Sequence, residues 1–260
     1  MSQAGGDYWA RPRHPWSCVL FVVPLLAIYE VGLHFLGPLP VSTLRNGADV
    51  WLRSGLVSAG ISPAYGAPVL LVLILLAWTL FYREPRPDDP ISVWIGMTVE
   101  SVVLAGVLYG ASQGLWPFLD SLSGALEGRN ATVPALSFAS EGRVPDPRVA
   151  SLVRYLGAGI YEETLFRLLL LSVLLAAFNL GELPRRWGLV LAALASALFF
   201  AGAHNLGPNG ETFQGSLFLF RTLAGLYFAW VYCVRGFGIA VGAHAGYDAL
   251  CMLISLPAAS

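Results

Sequence analysis

Apolar residues in this chain run in long unbroken stretches rather than alternating with polar ones. The first stretch covers residues 15–36. Others follow at about 67–81, 91–115, 148–178, 187–204, 215–234 and 236–256. A run of about 20 apolar residues has the length to cross a bilayer as a helix. Inside lipid, every backbone N–H and C=O must be satisfied within the segment, which selects helix over open strand. The pattern therefore predicts an all-α polytopic transmembrane helix bundle of about seven spans, with six to eight as bounds. Segment 67–81 is short for a span, and an interfacial helix is expected around Arg45 to Leu56. Pro24 in the first stretch is a kink of the kind membrane helices tolerate. That stretch is too long for a signal peptide and lacks a small-x-small cleavage site.

Polar punctuation separates the stretches. Arg83–Pro90, Gly181–Arg186 and Pro208-Asn209-Gly210 read as turns, and residues 116–147 as the longest polar connection. Asn130-Ala131-Thr132 within it is a sequon by spelling only. No repeat or second domain is visible, so residues 1–260 read as one integral membrane domain.

Composition sharpens this picture. Of 260 residues, 56% are apolar and 12% charged, about half the roughly 25% charged of soluble domains. Mean hydropathy is +0.66. Disorder is excluded and a soluble globule disfavoured. A net charge of −1 offers no basic field for nucleic acid. All 15 basic residues are arginine, which we read as a bacterial coding bias and hence a bacterial inner-membrane location. Cys18, Cys233 and Cys251 are far apart without a C-x-x-C pattern, so neither a disulfide framework nor a thiolate metal site is expected. Arg11, Arg13, Arg83, Arg86, Arg185, Arg186 and Arg235 fall on one side of a seven-span topology, which places the N-terminus in the cytoplasm by the positive-inside rule.

Ionisable groups within spans are costly, so they call for a reason. They concentrate in three places. In Tyr161-Glu162-Glu163-Thr164-Leu165-Phe166-Arg167, Glu163 and Arg167 stand at i and i+4 and can pair. Glu162 lies about 100° round the helix and stays free. Phe200-Ala201-Gly202-Ala203-His204 ends a span with small residues before a histidine. His244-Ala245-Gly246-Tyr247-Asp248 sets a second histidine one turn from a carboxylate, opposite a ridge of Gly238, Gly242 and Gly246. Each alone has a bland reading as an interfacial or buried polar pair. Together they assemble a base, an imidazole and an oxyanion stabiliser, the set that hydrolysis requires. Glu30 and Glu100 are further carboxylates in spans, with Arg154 and Arg221 as candidate partners. Gly110-Ala111-Ser112-Gln113-Gly114 spells a nucleophile elbow but lacks the strand–turn–helix context. With Gly106, its glycines are expected to form a helix-packing face.

Glu162-Glu163-x-x-x-Arg167, Phe200-x-x-x-His204 and His244-x-x-x-Asp248, in this order on successive apolar segments, resemble the CPBP family (CAAX protease and bacteriocin-processing, Abi), over roughly residues 150–250. The resemblance implies an intramembrane endopeptidase of the glutamic type, cutting a membrane-associated protein or peptide that is lipid-anchored or carries a terminal membrane segment. It implies catalytic roles for Glu162, His204, His244 and Asp248, with Glu163 and Arg167 holding the site in shape. Glu162 would activate water with help from His204, and His244 would stabilise the oxyanion. Position 248 departs from the commoner asparagine. An ionised Asp cannot donate to an oxyanion, so Asp248 is expected to orient His244, the alternative being a protonated Asp248.

No cofactor is expected. The alternative is zinc held by Glu162, His204 and His244. Other classes are a non-catalytic immunity or scaffold protein, or a proton-coupled transporter built on the same intramembrane groups. The N-in topology puts Glu162 and His204 toward the outer half of the membrane, whereas CAAX processing implies approach from the cytosol. An enzyme that trims exported proteins near a terminal membrane segment would remove that conflict.

Overall fold

The structure is a computed structural model that describes residues 8–36, 45–127, 147–207 and 210–255. Among them, every regular element is a helix. A short 3₁₀ turn at Arg11–Arg13 leads into α1 (Pro15–Phe35), followed by α2 (Gly47–Ser58), α3 (Gly66–Phe81) and α4 (Pro90–Glu127). Helix α5 (Pro147–Glu163) passes without a break into a π-helical segment (Thr164–Leu171) and then α6 (Ser172–Leu180). Helices α7 (Arg185–Ala203), α8 (Gly215–Arg235) and α9 (Phe237–Ser255) complete the bundle. Among the described residues, six helical stretches are long and apolar enough to cross a membrane, and α3 is a shorter apolar helix beside them. The chain is an integral membrane helical bundle.

Helix α9 packs against α4, α5, α8 and α1. Its close approach to α4 follows from the sequence. Gly238, Gly242 and Gly246 meet Met97, Ser101 and Ala105 in turn, two four-residue ladders facing each other. A Cβ at Gly238 would fall 2.6 Å from the Met97 methyl. The opposite prediction fails for α4. Gly106, Gly110 and Gly114 are exposed, and no atom stands within 4 Å of where their Cβ atoms would be. The buried stripe of α4 instead runs through Met97, Ser101, Ala105, Leu108 and Ser112. The polar connection expected from residue 116 also starts too early, since α4 continues through Pro117 to Glu127. Trp116 stacks on Phe220 with ring centroids 5.0 Å apart and Leu119 is buried, so the inward face remains apolar beyond the expected end. Asn130-Ala131-Thr132, and Pro208-Asn209 of the later turn, lie outside the described residues.

Polar networks pin both ends of the bundle. At the end nearest the N-terminus, Arg235 donates to both oxygens of Glu100 and to the Trp9 carbonyl. Tyr8 donates to Glu100 at 3.0 Å, and burial with that bond pushes its phenol up to about 12. Arg13 donates to the Cys233 carbonyl, and the His14 ring meets the Glu84 carbonyl. At the other end, Asp49 is fully buried and receives Arg45, Arg53 and the Tyr29 hydroxyl. Arg53 also reaches Glu30, and Tyr161 donates to the same Glu30 oxygen at 2.8 Å. Helix α2 is thereby clamped to α1 and α5. Its start is capped by Asn46, whose side chain accepts from the Asp49 N–H. The expected interfacial helix around Arg45 to Leu56 exists, displaced by two residues. Glu30 and Glu100 are ion-paired as expected, but with Arg45, Arg53 and Arg235 rather than with Arg154 or Arg221.

Candidate active site

The fold brings the three polar segments together, at the junction of α5 with the π-helical segment, at the end of α7 and midway along α9. Glu163 and Arg167 form the expected i, i+4 pair at 3.2 Å, both fully buried. The chain enters its π-helical segment at Thr164, immediately after Glu163. Such insertions widen a helix by one residue per turn and recur at functional sites. Here the Ser172 hydroxyl donates to the Arg167 carbonyl at 3.4 Å, and Ser196 of α7 donates to the Phe166 carbonyl at 2.7 Å. Neighbouring side chains thus take over part of the backbone bonding that an α-helix would satisfy itself.

Arg167 reaches across to α8, where Nη2 donates to the Gly225 carbonyl at 3.1 Å. Its guanidinium lies 4.5 Å from the Phe200 ring centre and 5.6 Å from that of Phe228. Fully buried, the cation is balanced by one carboxylate, one carbonyl and two aromatic rings.

Both histidines have one ring nitrogen occupied. His204 Nδ1 lies 2.9 Å from the Phe200 carbonyl, which can only accept. Nδ1 therefore carries the proton, and Nε2 is left facing the site. His244 Nδ1 lies 2.7 Å from Glu163 Oε1, and this buried contact orients its ring. Phe228 stacks on that ring at 4.4 Å with an interplanar angle of 13°, and Phe200 stands near both histidines edge-on. The two remaining Nε2 atoms converge on one oxygen. Glu162 Oε2 is 3.7 Å from His244 Nε2 and 4.0 Å from His204 Nε2. Asp248 Oδ2 is 3.8 Å from His244 Nε2.

This geometry changes the reading of Asp248. The nitrogen that an orienting carboxylate would occupy is taken by Glu163 instead. Asp248 faces the same nitrogen as Glu162, at a distance beyond a direct hydrogen bond. Accessibility follows the same division. Glu163 and Arg167 are sealed, whereas the side chains of Asp248 and His204 keep 23% and 24% of their surface. The site therefore opens along His204 and Asp248. Glu162, His204 and His244, the alternative zinc ligands, do face one another. Among the described residues, however, no group of three or more His, Cys, Asp or Glu side chains is placed to hold a metal ion.

Phe228 and Phe200 box both the cation and the imidazole, and the sequence singled out only the second, as part of a spacing. The opening lies toward the end of the bundle opposite the N-terminal segment. The end of α8 at Arg235 holds Trp9, so the start of α8, with the His204 turn bonded near it, lies at the other end.

No curated protein and no solved structure matches the chain. Residues 145–250 match the family model described as type II CAAX prenyl endopeptidase Rce1-like, which takes in every residue of the site. Over this segment the chain is similar to CAAX-type membrane proteases.

Proposed function

We propose that this chain is a glutamic-type intramembrane endopeptidase in which Glu162 activates water. One observation carries the reading. A single carboxylate oxygen, Glu162 Oε2, is faced by two imidazole Nε2 atoms whose Nδ1 atoms are each tied down. Separations of 3.7 and 4.0 Å exceed a direct hydrogen bond and suit groups that act on a molecule shared between them.

Glu162 takes a proton from water as the water oxygen bonds to the scissile carbonyl carbon. The carbonyl oxygen becomes an oxyanion and accepts from Nε2–H of doubly protonated His244, which Glu163 and Phe228 hold in place. The proton on Glu162 passes through His204 Nε2 to the leaving nitrogen as the C–N bond breaks. The products are a carboxylic acid and an amine, which become carboxylate and ammonium once the acid's proton passes to the amine. Glu163 and Arg167 contact neither substrate nor water and act by positioning. A non-catalytic scaffold has no need to hold two imidazoles against one accessible carboxylate.

The substrate class we infer is a membrane-associated protein or peptide carrying a lipid anchor or a terminal membrane segment. Seven arginines lie at the N-terminal end of the bundle, and by the positive-inside rule they support the reading that this end is cytoplasmic. The site then opens outward, and its substrates are exported proteins. A comparison of membrane-protein termini by mass spectrometry, between cells with wild-type protein and cells with Glu162→Gln at equal expression, tests the function. Termini that vanish in the variant give both substrate and cut site. Identical termini alongside a changed phenotype would remove the protease reading.

A further inference from the structure

One charged pair stands at the mouth of the site and has no part in the chemistry above. Arg221 Nη2 donates to Glu211 Oε2 at 2.8 Å. The arginine side chain keeps 14% of its surface and the glutamate 43%. Arg221 shares a stripe of α8 with Gly225 and Phe228, at spacings of four and three residues, which place the three on one face. Gly225 receives Arg167, and Phe228 stacks on His244, so that face is the wall of the site. Arg221 lies two turns closer to the opening. Glu211 is tethered beside it, since its N–H donates to the His204 carbonyl at 2.8 Å and its own carbonyl accepts from Asn205.

Arg167 is sealed and committed to Glu163, whereas Arg221 faces the opening with a carboxylate already seated on it. We propose that Arg221 is a specificity-determining anchor for a substrate carboxylate, and that Glu211 occupies the anchor until substrate displaces it. This rests on the protease reading above. A guanidinium matches a carboxylate through paired, charge-assisted hydrogen bonds. Seven helical residues between Arg221 and Phe228 rise about 10 Å. An extended peptide covers that in about three residues at 3.3–3.6 Å each. The anchor therefore selects peptides with a carboxylate a few residues beyond the scissile bond. That carboxylate is either the chain terminus or an acidic side chain. Asp248, facing the same opening, repels a carboxylate that enters too deeply.

The test uses full-length protein in nanodiscs and fluorescently labelled peptides with an apolar membrane-anchoring segment followed by three residues. The three residues end as the free acid, as the amide, or as the amide with a last-position Asp. Binding is read by anisotropy on Glu162→Gln protein, and cleavage on wild type. The free acid is expected to bind about 10-fold tighter than the amide, in line with one charge-assisted contact. Adding Arg221→Gln erases the difference, and adding Glu211→Gln instead tightens the acid further. Recovery by the Asp amide alone assigns the anchor to acidic side chains. Equal affinity for all three peptides, or no binding by any, overturns the anchor. Preferential acid binding without cleavage by wild type keeps the anchor and removes the protease reading. Cleavage without acid preference does the reverse.

Discussion

His244 and Glu163 are joined by a buried contact of 2.7 Å between Nδ1 and Oε1, and it decides which nitrogen of the ring serves the site. Glu163 is in turn held by Arg167, so one ion pair sets the aim of a group on a different helix. Neither partner reaches the opening.

Removing only the cation should therefore unfold more than it inactivates. Arg167→Met leaves the buried Glu163 with His244 alone facing it, a loss of about 3–5 kcal/mol for a broken buried pair. The expected result is a collapse of thermal stability in detergent. Arg167→Met with Glu163→Gln removes both charges and should recover most of the stability while activity stays low, because His244 has lost its charged partner. A double variant that melts no higher than the single one contradicts this.

Asp248 is expected to tolerate amide replacement. Asp248→Asn keeps the shape and adds an N–H that can donate to an oxyanion, so turnover should stay within about 3-fold of wild type or rise. Asp248→Ala removes a carboxylate that no step above uses and should likewise stay within about 3-fold. Inactivity of the Asn variant, in a protein that melts normally, would restore an orienting or proton-transfer duty to the carboxylate.

Metal removal separates glutamic from zinc chemistry. No step proposed for Glu162 passes through a metal, so exhaustive treatment with a zinc chelator should leave peptide turnover within about 2-fold, against the near-complete loss expected of a zinc hydrolase. Purified protein should carry zinc well below one equivalent. Loss of activity that returns with added zinc would reassign Glu162, His204 and His244 as ligands.

Orientation is open to a direct check. A reporter fused after Glu182, in the turn before α7, should report the cytoplasm if the arginine-rich end faces inward. An extracytoplasmic signal would turn the bundle over and open the site to the cytosol.

The sequence showed most of what is chemically conspicuous. Charged and imidazole groups stand out against lipid-compatible helices, so Glu162, Glu163, Arg167, His204, His244 and Asp248 were visible from their cost alone. Gly238, Gly242 and Gly246 were legible for a similar reason, because small residues at one spacing leave a groove that some helix must fill. Contrast also marks what was hidden. Phe228 is one aromatic residue in an aromatic-rich helix, and nothing local distinguishes it from those facing lipid, such as Trp230. The same applies to Gly106, Gly110 and Gly114, whose spacing is right but whose face is wrong. The pairing of Glu30 with Arg53 depends on which helix ends meet, a property of the assembled bundle rather than of either segment. The π-helical turn left no mark, since Thr164–Leu171 reads equally well as an ordinary helix.

Helix α3 has 16 residues, about 24 Å of rise against a hydrocarbon core of about 30 Å. Lipid in contact with it must thin, or the flanking polar groups must be drawn down to meet the shortfall. The apolar groove between α2 and α3 is walled by Trp51, Leu56 and Leu70, and Leu165 closes it three residues past Glu162. Bilayer deformation is thus greatest on a side of the protein that adjoins the reaction centre. A thinner hydrocarbon layer on that side lowers the work of carrying a polar amide bond to a carboxylate inside the membrane.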